Sequence, residues 1–173
     1  MNIIIVNGPN LNLLGEREPE IYGSESLSEI NLWIENHEIC TNLNLEFFQS
    51  NSEGSIIDFI HSKRKDTDYL IINPGALTHY SYALRDAIVG TQLKAIEVHL
   101  SDIYDRENFR KISVIKSVCL AQFYGEGKHG YITAIKHILE QASKKYAYKE
   151  LREDSAKKQQ NLIVVNLILK NLN

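Results

Sequence analysis

The chain has 173 residues, a formal net charge of −3, 43% hydrophobic residues and 24% charged residues. This balance excludes an intrinsically disordered chain, and the slight negative charge does not favour a nucleic-acid partner. The longest apolar runs fall far short of the roughly 20 residues that a membrane-spanning helix needs. We therefore expect a cytoplasmic protein with one well-buried core and no membrane or nucleic-acid partner.

Short runs of β-branched residues alternate with helical patterns along the chain. The predicted strands are residues 3–7, 45–49, 69–73, 94–99 and 118–123. The first helix is predicted to begin at Ser26, which forms a capping box with Glu29, and its apolar spacing continues to Cys40. Further helices are predicted around residues 56–60, 82–89 and 132–142. This alternation indicates an α/β fold with a parallel sheet and helices on both faces.

Two parts of the sequence carry no predicted chemistry. Cys40 and Cys119 lie in apolar stretches without C-x-x-C spacing, so we expect buried, reduced thiols. Residues 149–173 consist of a charged stretch followed by an apolar segment. We expect one domain over residues 1–148 and a C-terminal extension over 149–173 of unknown role. An appended helix or loosely packed tail is favoured there over a partner-binding strand.

Ligands in parallel α/β sheets bind beyond the carboxyl ends of the strands, so the residues after each strand are candidates. The first strand is followed by an unusually long connection that carries Asn10, Arg17 and Tyr22. A guanidinium near a tyrosine favours the phenolate and lowers the phenol pKa, which suits a general base. The alternative is that the ring of Tyr22 packs on the core and Arg17 pairs with a surface carboxylate.

Candidates also follow the third and fourth strands. Asn73 and His79 flank a turn where they could bind ligand hydroxyls or a carboxylate, or act only as structural caps. Glu97 and His99 are two residues apart, so a continuous strand directs both to the same side and lets the carboxylate orient the imidazole. Arg110 adds a cation nearby, unless it serves only in a surface ion pair.

Two other kinds of site have some support in the sequence. A zinc site built from His79, His99 and Glu97 uses legitimate ligand types, but no H-E-x-x-H spacing supports it, and the polar groups suit a polyhydroxy-carboxylate better. Residues 125–130 form a literal G-x-G-x-x-G in the last β-α unit. Because no acidic residue follows to bind a ribose, we interpret this motif as a turn that lets the helix pack closely.

Several motifs in collinear order resemble type II 3-dehydroquinate dehydratase over residues 2–142. They are Asn-Gly-Pro-Asn-Leu-Asn-Leu-Leu-Gly at 7–15, Arg-Glu-Pro at 17–19 with Tyr-Gly at 22–23, Phe-Gln-Ser-Asn-Ser-Glu-Gly at 48–54, Ile-Asn-Pro-Gly-Ala at 72–76 and Glu-Val-His-Leu-Ser at 97–101. The resemblance implies a flavodoxin-like, five-stranded parallel sheet and a lyase of the shikimate pathway, which leads to chorismate and the aromatic amino acids. The implied reaction dehydrates 3-dehydroquinate to 3-dehydroshikimate with no metal and no organic cofactor.

The resemblance also implies a role for each catalytic residue. Tyr22 is the base that removes a proton next to the ketone, and Arg17 holds it as phenolate. Asn10 helps to place a donor at the enolate oxygen, His99 protonates the departing hydroxyl, and Glu97 fixes the tautomer of the imidazole.

Substrate binding and assembly follow from the same resemblance. The family's substrate-binding positions correspond to Asn73, His79, Leu100, Ser101 and Arg110. Asp86 corresponds to a residue that reaches the site of a neighbouring subunit, since members form dodecamers of trimers; on a monomer it would be only a neighbour of Arg85 on a solvated helix face. Asp102 departs from the usual Asn, and its added negative charge predicts weaker substrate binding unless Arg106 or Arg110 pairs with it.

Two alternatives from other classes remain. A non-catalytic flavodoxin-like module could use the same crevice to bind a small molecule, but it would not need Tyr22, His99 and Arg17. A Schiff-base dehydratase needs a desolvated lysine, whereas Lys94 begins a strand at its far end.

Overall fold

The computed structural model describes residues 1–16, 23–105 and 107–144. These residues form five strands, β1 Asn2–Asn7, β2 Asn44–Gln49, β3 Tyr69–Asn73, β4 Lys94–His99 and β5 Ala121–Tyr124. The helices are α1 Leu27–Glu35, α2 Glu53–Lys63, α3 Tyr82–Thr91 and α4 over 129–144. Short 3₁₀ turns occupy much of the chain between β4 and β5.

The chain divides into two compact units, Met1–Lys136 and His137–Asn173. The whole sheet lies in the first unit. Of the second unit, the structure describes residues 137–144, which are helical. The predicted extension over 149–173 lies outside the described residues.

All strand pairs are parallel, and the order across the sheet is β2-β1-β3-β4-β5. Ile4 and Val6 of β1 share a buried cluster with Ile60 of α2 and Ile88 of α3, so these helices cover one face. On the other face, a Cβ added to Gly130 of α4 would lie 3.2 Å from Val98 Cγ1 of β4. The α/β architecture with helices on both faces is thus confirmed, and the strand order is that of a flavodoxin-like sheet.

The predicted elements differ from the structure at two ends. The Ser26–Glu29 capping box is present, but α1 ends at Glu35, where the side-chain amide of the C-cap residue Asn36 donates to the Leu32 carbonyl and the next N–H, of His37, bonds to Ile34 in the 3₁₀ pattern. The predicted continuation to Cys40 is therefore wrong, and that region forms a 3₁₀ turn. Strand β5 begins three residues later than predicted because Lys116–Val118 also forms a 3₁₀ turn.

The two cysteines are free thiols, with Cys40 buried and Cys119 partly exposed. Burial raises the pKa of Cys40, and it raises the pKa of Cys119 to about 12. Both thiols are therefore protonated and poorly nucleophilic at neutral pH. None of the helices formed by the described residues combines the length and the hydropathy required to cross a membrane.

The strand order reverses between β1 and β3, which is where ligands bind in sheets of this type. The loops after these two strands touch through their backbones at this point. A Cβ added to Gly8 would lie 2.3 Å from the carbonyl oxygen of Pro74, so only glycine fits. Gly75 has a φ of +56° and faces the carbonyl of Pro9. The loops that carry Asn10 and Asn73 are held together by this contact.

Candidate active site

A cavity of about 160 Å³ opens beyond the carboxyl ends of β1, β3 and β4. Its lining comes from the loop after β1, the turn after β3, the end of β4 and the 3₁₀ turns that follow. The lining residues are Pro9, Asn10, Leu11, Leu14, Asn73, Gly75, Ala76, His79, His99, Leu100, Ser101, Ile103 and Arg110. The cavity therefore lies where the sequence analysis placed the ligand site, at the strand ends around the reversal of strand order.

Asn10 reaches the cavity from a left-handed backbone conformation with φ 68°. Asparagine tolerates this region better than most residues. Its backbone N–H donates to Asn51 Oδ1 at 2.8 Å, and Gln49 Nε2 donates to the same oxygen at 3.2 Å. The end of β2 thus holds the loop that presents Asn10.

Asn73 is held by two buried residues beneath the cavity. Its Nδ2 donates to the Tyr131 hydroxyl at 3.3 Å, and that hydroxyl donates to Asn7 Oδ1 at 2.6 Å. Burial raises the pKa of Tyr131, so its hydroxyl stays protonated. The Oδ1 of Asn73 accepts the Gly75 N–H at 3.3 Å. The sequence analysis missed Asn7 and Tyr131, because their contact joins residues 124 positions apart.

Glu97 lies fully buried below the cavity and accepts hydrogen bonds at both carboxylate oxygens. Its Oε1 accepts a hydrogen bond from Thr78 Oγ1 and lies 2.7 Å from His99 Nε2. Ser113 Oγ lies 2.9 Å from each carboxylate oxygen, and Gln122 Nε2 donates to Oε2 at 2.9 Å. Both oxygens of this buried carboxylate therefore have hydrogen-bond donors.

The donors around Glu97 decide its charge. Burial by itself raises the pKa of a carboxyl group, but the hydrogen bond and the charge attraction of His99, with the hydroxyls of Thr78 and Ser113, outweigh it. The pKa of Glu97 is therefore below its ordinary value, and the group is a carboxylate at neutral pH. Because a carboxylate can only accept, the Nε2 of His99 must carry a proton, which leaves Nδ1 as the ring nitrogen that can exchange a proton with a ligand.

His79 also lines the cavity, and its tautomer is defined by one hydrogen bond. Its Nδ1 lies 2.7 Å from the Ile112 carbonyl oxygen, which can only accept, so Nδ1 carries a proton. Burial lowers the pKa of His79, the charges of His99 and Arg110 lower it further, and the bond to Ile112 opposes this change. A neutral His79 thus offers Nε2 as an acceptor for a ligand hydroxyl.

Arg110 and residues Leu100 and Ser101 complete the polar part of the lining. Arg110 Nε also donates to Glu107 Oε2 at 2.9 Å, so Arg110 forms a surface ion pair and also lines the cavity. The carbonyl of Leu100 accepts the Gly127 N–H at 2.9 Å, which anchors the turn after β4.

Tyr22 and Arg17 lie outside the described residues. Asp86 lies on α3 with 76% of its side chain exposed, 3.4 Å from Arg85 NH1, and does not line the cavity of its own chain. Asp102 Oδ1 accepts the Tyr104 N–H at 2.8 Å, an Asx turn.

Two predictions about other kinds of site can be compared with the structure. Within residues 1–16, 23–105 and 107–144, no three His, Cys, Asp or Glu side chains are grouped closely enough to hold a metal ion. In the G-x-G-x-x-G segment, Gly125 and Gly127 have positive φ, and Gly130 contacts β4 as described above. The interpretation of this segment as a turn that lets α4 pack closely is confirmed.

Comparisons with known proteins agree with this geometry. The family described as dehydroquinase class II matches residues 1–139. The 3-dehydroquinate dehydratases of Halothermothrix orenii and Roseiflexus castenholzii are 51% and 50% identical; the matches cover 79% and 80% of this chain and 93% and 88% of those relatives. A crystal structure of type II dehydroquinase from Butyrivibrio crossotus is 48% identical with a TM-score of 0.77, over 79% of this chain and 96% of that one. With nearly whole relatives matched at about half identity, this chain belongs to the class II dehydroquinase family.

Proposed function

We propose that this protein dehydrates 3-dehydroquinate to 3-dehydroshikimate, with no metal and no organic cofactor, as a lyase of the shikimate pathway in the cytoplasm. The observation that carries the proposal is the buried Glu97–His99 pair at the cavity of a class II dehydroquinase fold. A carboxylate that accepts from one ring nitrogen holds the imidazole in one orientation, so the other nitrogen is placed to exchange a proton with a ligand.

The proposed reaction proceeds through an enolate. The Tyr22 phenolate, stabilised by Arg17, removes a proton from the carbon next to the ketone. Asn10 helps to place a hydrogen-bond donor at the enolate oxygen, where negative charge develops. The enolate then re-forms the ketone as a carbon–carbon double bond forms and the carbon–oxygen bond of the neighbouring hydroxyl breaks. The imidazolium of His99 protonates that hydroxyl, which leaves as water.

The cavity wall supports the proposed binding of a polyhydroxy-carboxylate. The acceptor Nε2 of His79 and the side-chain amide of Asn73 suit ring hydroxyls. The guanidinium of Arg110 and the backbone and hydroxyl donors of Leu100 and Ser101 suit a carboxylate. Lysine is absent from the described lining residues, and Lys94 lies at the opposite end of β4 with Nζ 4.9 Å from the Tyr69 ring centroid. This position does not favour Schiff-base chemistry.

The test of the function is ultraviolet absorbance after addition of 3-dehydroquinate, because dehydration creates a conjugated enone. We expect a rise with the wild-type protein and a loss of about 10²-fold or more in kcat for Tyr22→Phe, which removes the proposed base. Tyr69→Phe, at the far end of β3, should retain the wild-type rate.

The outcomes separate the alternatives. A rise in both wild type and Tyr22→Phe would keep the reaction and overturn the assignment of the base. If the absorbance does not rise with correctly assembled wild-type protein, the protein is a non-catalytic binding module with this fold.

We further propose that the protein is a dodecamer of trimers in which Asp86 enters the site of a neighbouring subunit. The surface around Asp86 supports an interface, because Tyr82 and Val89 on α3, and Tyr80 just before it, are more than half exposed. Exposed aromatic and aliphatic side chains of this kind are typical of protein–protein contacts.

The shared site predicts complementation between two inactive variants. Asp86→Ala and His99→Asn should each be at least tenfold less active alone. When both are unfolded, mixed in equal amounts and refolded together, about a quarter of the sites should combine an intact His99 with a neighbour's intact Asp86. Each variant refolded alone is the control. An absence of regained activity in correctly sized mixed oligomers would contradict a site shared between subunits.

A further inference from the structure

The amide of Gln122 is the one donor to Glu97 that comes from the edge strand β5, and it is itself part of a longer chain of contacts. Gln122 is the cross-strand partner of Glu97 in the sheet, so both side chains project on the same face. Its Oε1 accepts the Tyr104 hydroxyl at 2.8 Å. Tyr104 Oη in turn accepts from Lys116 Nζ at 3.0 Å. A continuous hydrogen-bonded path therefore joins an exposed ammonium group to the buried carboxylate.

The direction of every hydrogen bond in this path is determined by its two ends, because the ammonium group can only donate and the Glu97 carboxylate can only accept. An ammonium group can only donate, so the Tyr104 oxygen must accept, and its own hydrogen is directed to Gln122. The amide oxygen of Gln122 is thereby fixed toward Tyr104, and its NH₂ group faces Glu97. The hydrogen bond to Tyr104 raises the pKa of Lys116 above its ordinary value, so this donor remains charged at neutral pH.

The alternative orientation of Gln122 would harm the site. A flipped amide would present its oxygen to the carboxylate of Glu97, which is an unfavourable contact between two acceptors. Tyr104 is also held in place by its neighbours, since its ring makes an edge contact with Tyr124 at a centroid distance of 4.8 Å and lies under Lys116 Nζ at 5.2 Å.

We propose that Gln122, Tyr104 and Lys116 are positioning residues for the acid His99, acting as a chain that orients Glu97 and so holds the imidazole for proton delivery. The inference rests on the proposed function of the same cavity. None of the three residues lines the cavity, so they act through Glu97 rather than on the substrate. Through these hydrogen bonds, the chemistry of the site depends on Lys116 at the protein surface.

A double-mutant cycle tests this hydrogen-bonded chain of positioning residues. Gln122→Leu should lower kcat about tenfold with KM changed less than twofold, because a bond to a buried charge is lost while the substrate contacts stay. Tyr104→Phe removes only the hydroxyl and should lower kcat by about threefold. In a serial chain the double variant should be no slower than Gln122→Leu alone, because Tyr104 has nothing left to orient.

Matched controls separate positioning from a general loss of structure. Tyr69 and Lys94 repeat the arrangement of a lysine over a tyrosine ring at the opposite end of the strands, so Tyr69→Phe is the control for Tyr104→Phe. Lys116→Met should follow Tyr104→Phe in direction, whereas the exposed Lys65→Met should not change kcat. An unchanged kcat in Gln122→Leu, an effect confined to KM, or additive effects in the cycle would each overturn the proposal.

A spectroscopic measurement judges the inference independently of activity. Ring ¹⁵N shifts of labelled His99 report the tautomer when its imidazole is in the neutral form. They should show the proton on Nε2 in the wild-type protein and a mixture of both tautomers in Gln122→Leu. If the wild-type protein does not dehydrate 3-dehydroquinate, the proposed function fails, yet this change in the tautomer would still support the positioning chain. If the tautomer is the same in both proteins, the positioning chain fails, whatever the activity.

Discussion

Replacement of His99 by asparagine is expected to lower kcat for 3-dehydroquinate by about 10²- to 10⁴-fold, the usual contribution of a positioned acid. Asparagine still offers an amide donor toward Glu97, but it cannot carry and release a proton. Because the lost interaction belongs to the transition state, KM should change by less than about threefold. Steady-state absorbance at several substrate concentrations measures both parameters.

His79→Asn is the matched control for this prediction, since it makes the same substitution at the other histidine of the cavity. The neutral His79 is placed to bind a hydroxyl, so we expect KM to rise about tenfold with a smaller change in kcat. The two variants should therefore separate proton transfer from binding. If His79→Asn instead lowered kcat strongly and His99→Asn changed only KM, His79 would be the acid and His99 the residue that binds a hydroxyl.

Glu97→Gln is expected to destabilise the protein by about 2–3 kcal/mol at pH 7, because buried donors lose their bonds to a charged acceptor. The size of this effect should depend on pH. The pKa of Glu97 in the folded protein lies below the ordinary glutamate value of about 4.5, so near and below that pH the unfolded chain binds more protons than the folded one. The stabilisation from Glu97 is thus complete above about pH 4.5, and it is lost as the pH falls through the folded pKa.

Urea unfolding of wild type and Glu97→Gln at pH 7, 5 and 4 measures this effect. All samples need the same protein concentration, because subunit association shifts apparent stability. The difference between the two proteins should shrink below about pH 4.5, with a slope of at most about 1.4 kcal/mol per pH unit for one proton. Glu46→Gln is the control, since Glu46 forms an exposed ion pair with Lys63 and should change stability by less than about 1 kcal/mol. A difference between wild type and Glu97→Gln that stays constant down to pH 4 would contradict the prediction.

Local rules were enough to predict much of the fold. The capping box of Ser26 and Glu29 depends on residues three apart, and the buried strands depend on short runs of apolar residues. The pairing of Glu97 with His99 follows from the two-residue period of a strand and was predicted correctly. The cavity also lies at the predicted edge, because the carboxyl ends of parallel strands always meet on the same side of a sheet.

The surroundings of Glu97 could not be predicted in the same way. Thr78, Ser113 and Gln122 reach this carboxylate across 19, 16 and 25 positions of sequence. No spacing rule connects residues on separate turns and strands, so only the folded sheet brings them together. The early end of α1 was missed for a different reason: Asn36 caps the helix although apolar residues continue at helical spacing beyond it.

The backbone contact between Gly8 and Pro74 has a consequence for how substrate specificity can be altered. The loops that carry Asn10 and Asn73 meet there through main-chain atoms, whose positions depend little on the identity of neighbouring side chains. Directed evolution could therefore vary the lining side chains at Ala76, Ser101 and Ile103 while this backbone contact between the two loops is retained. Substitution libraries that leave positions 8, 74 and 75 untouched should contain a larger fraction of folded, selectable variants.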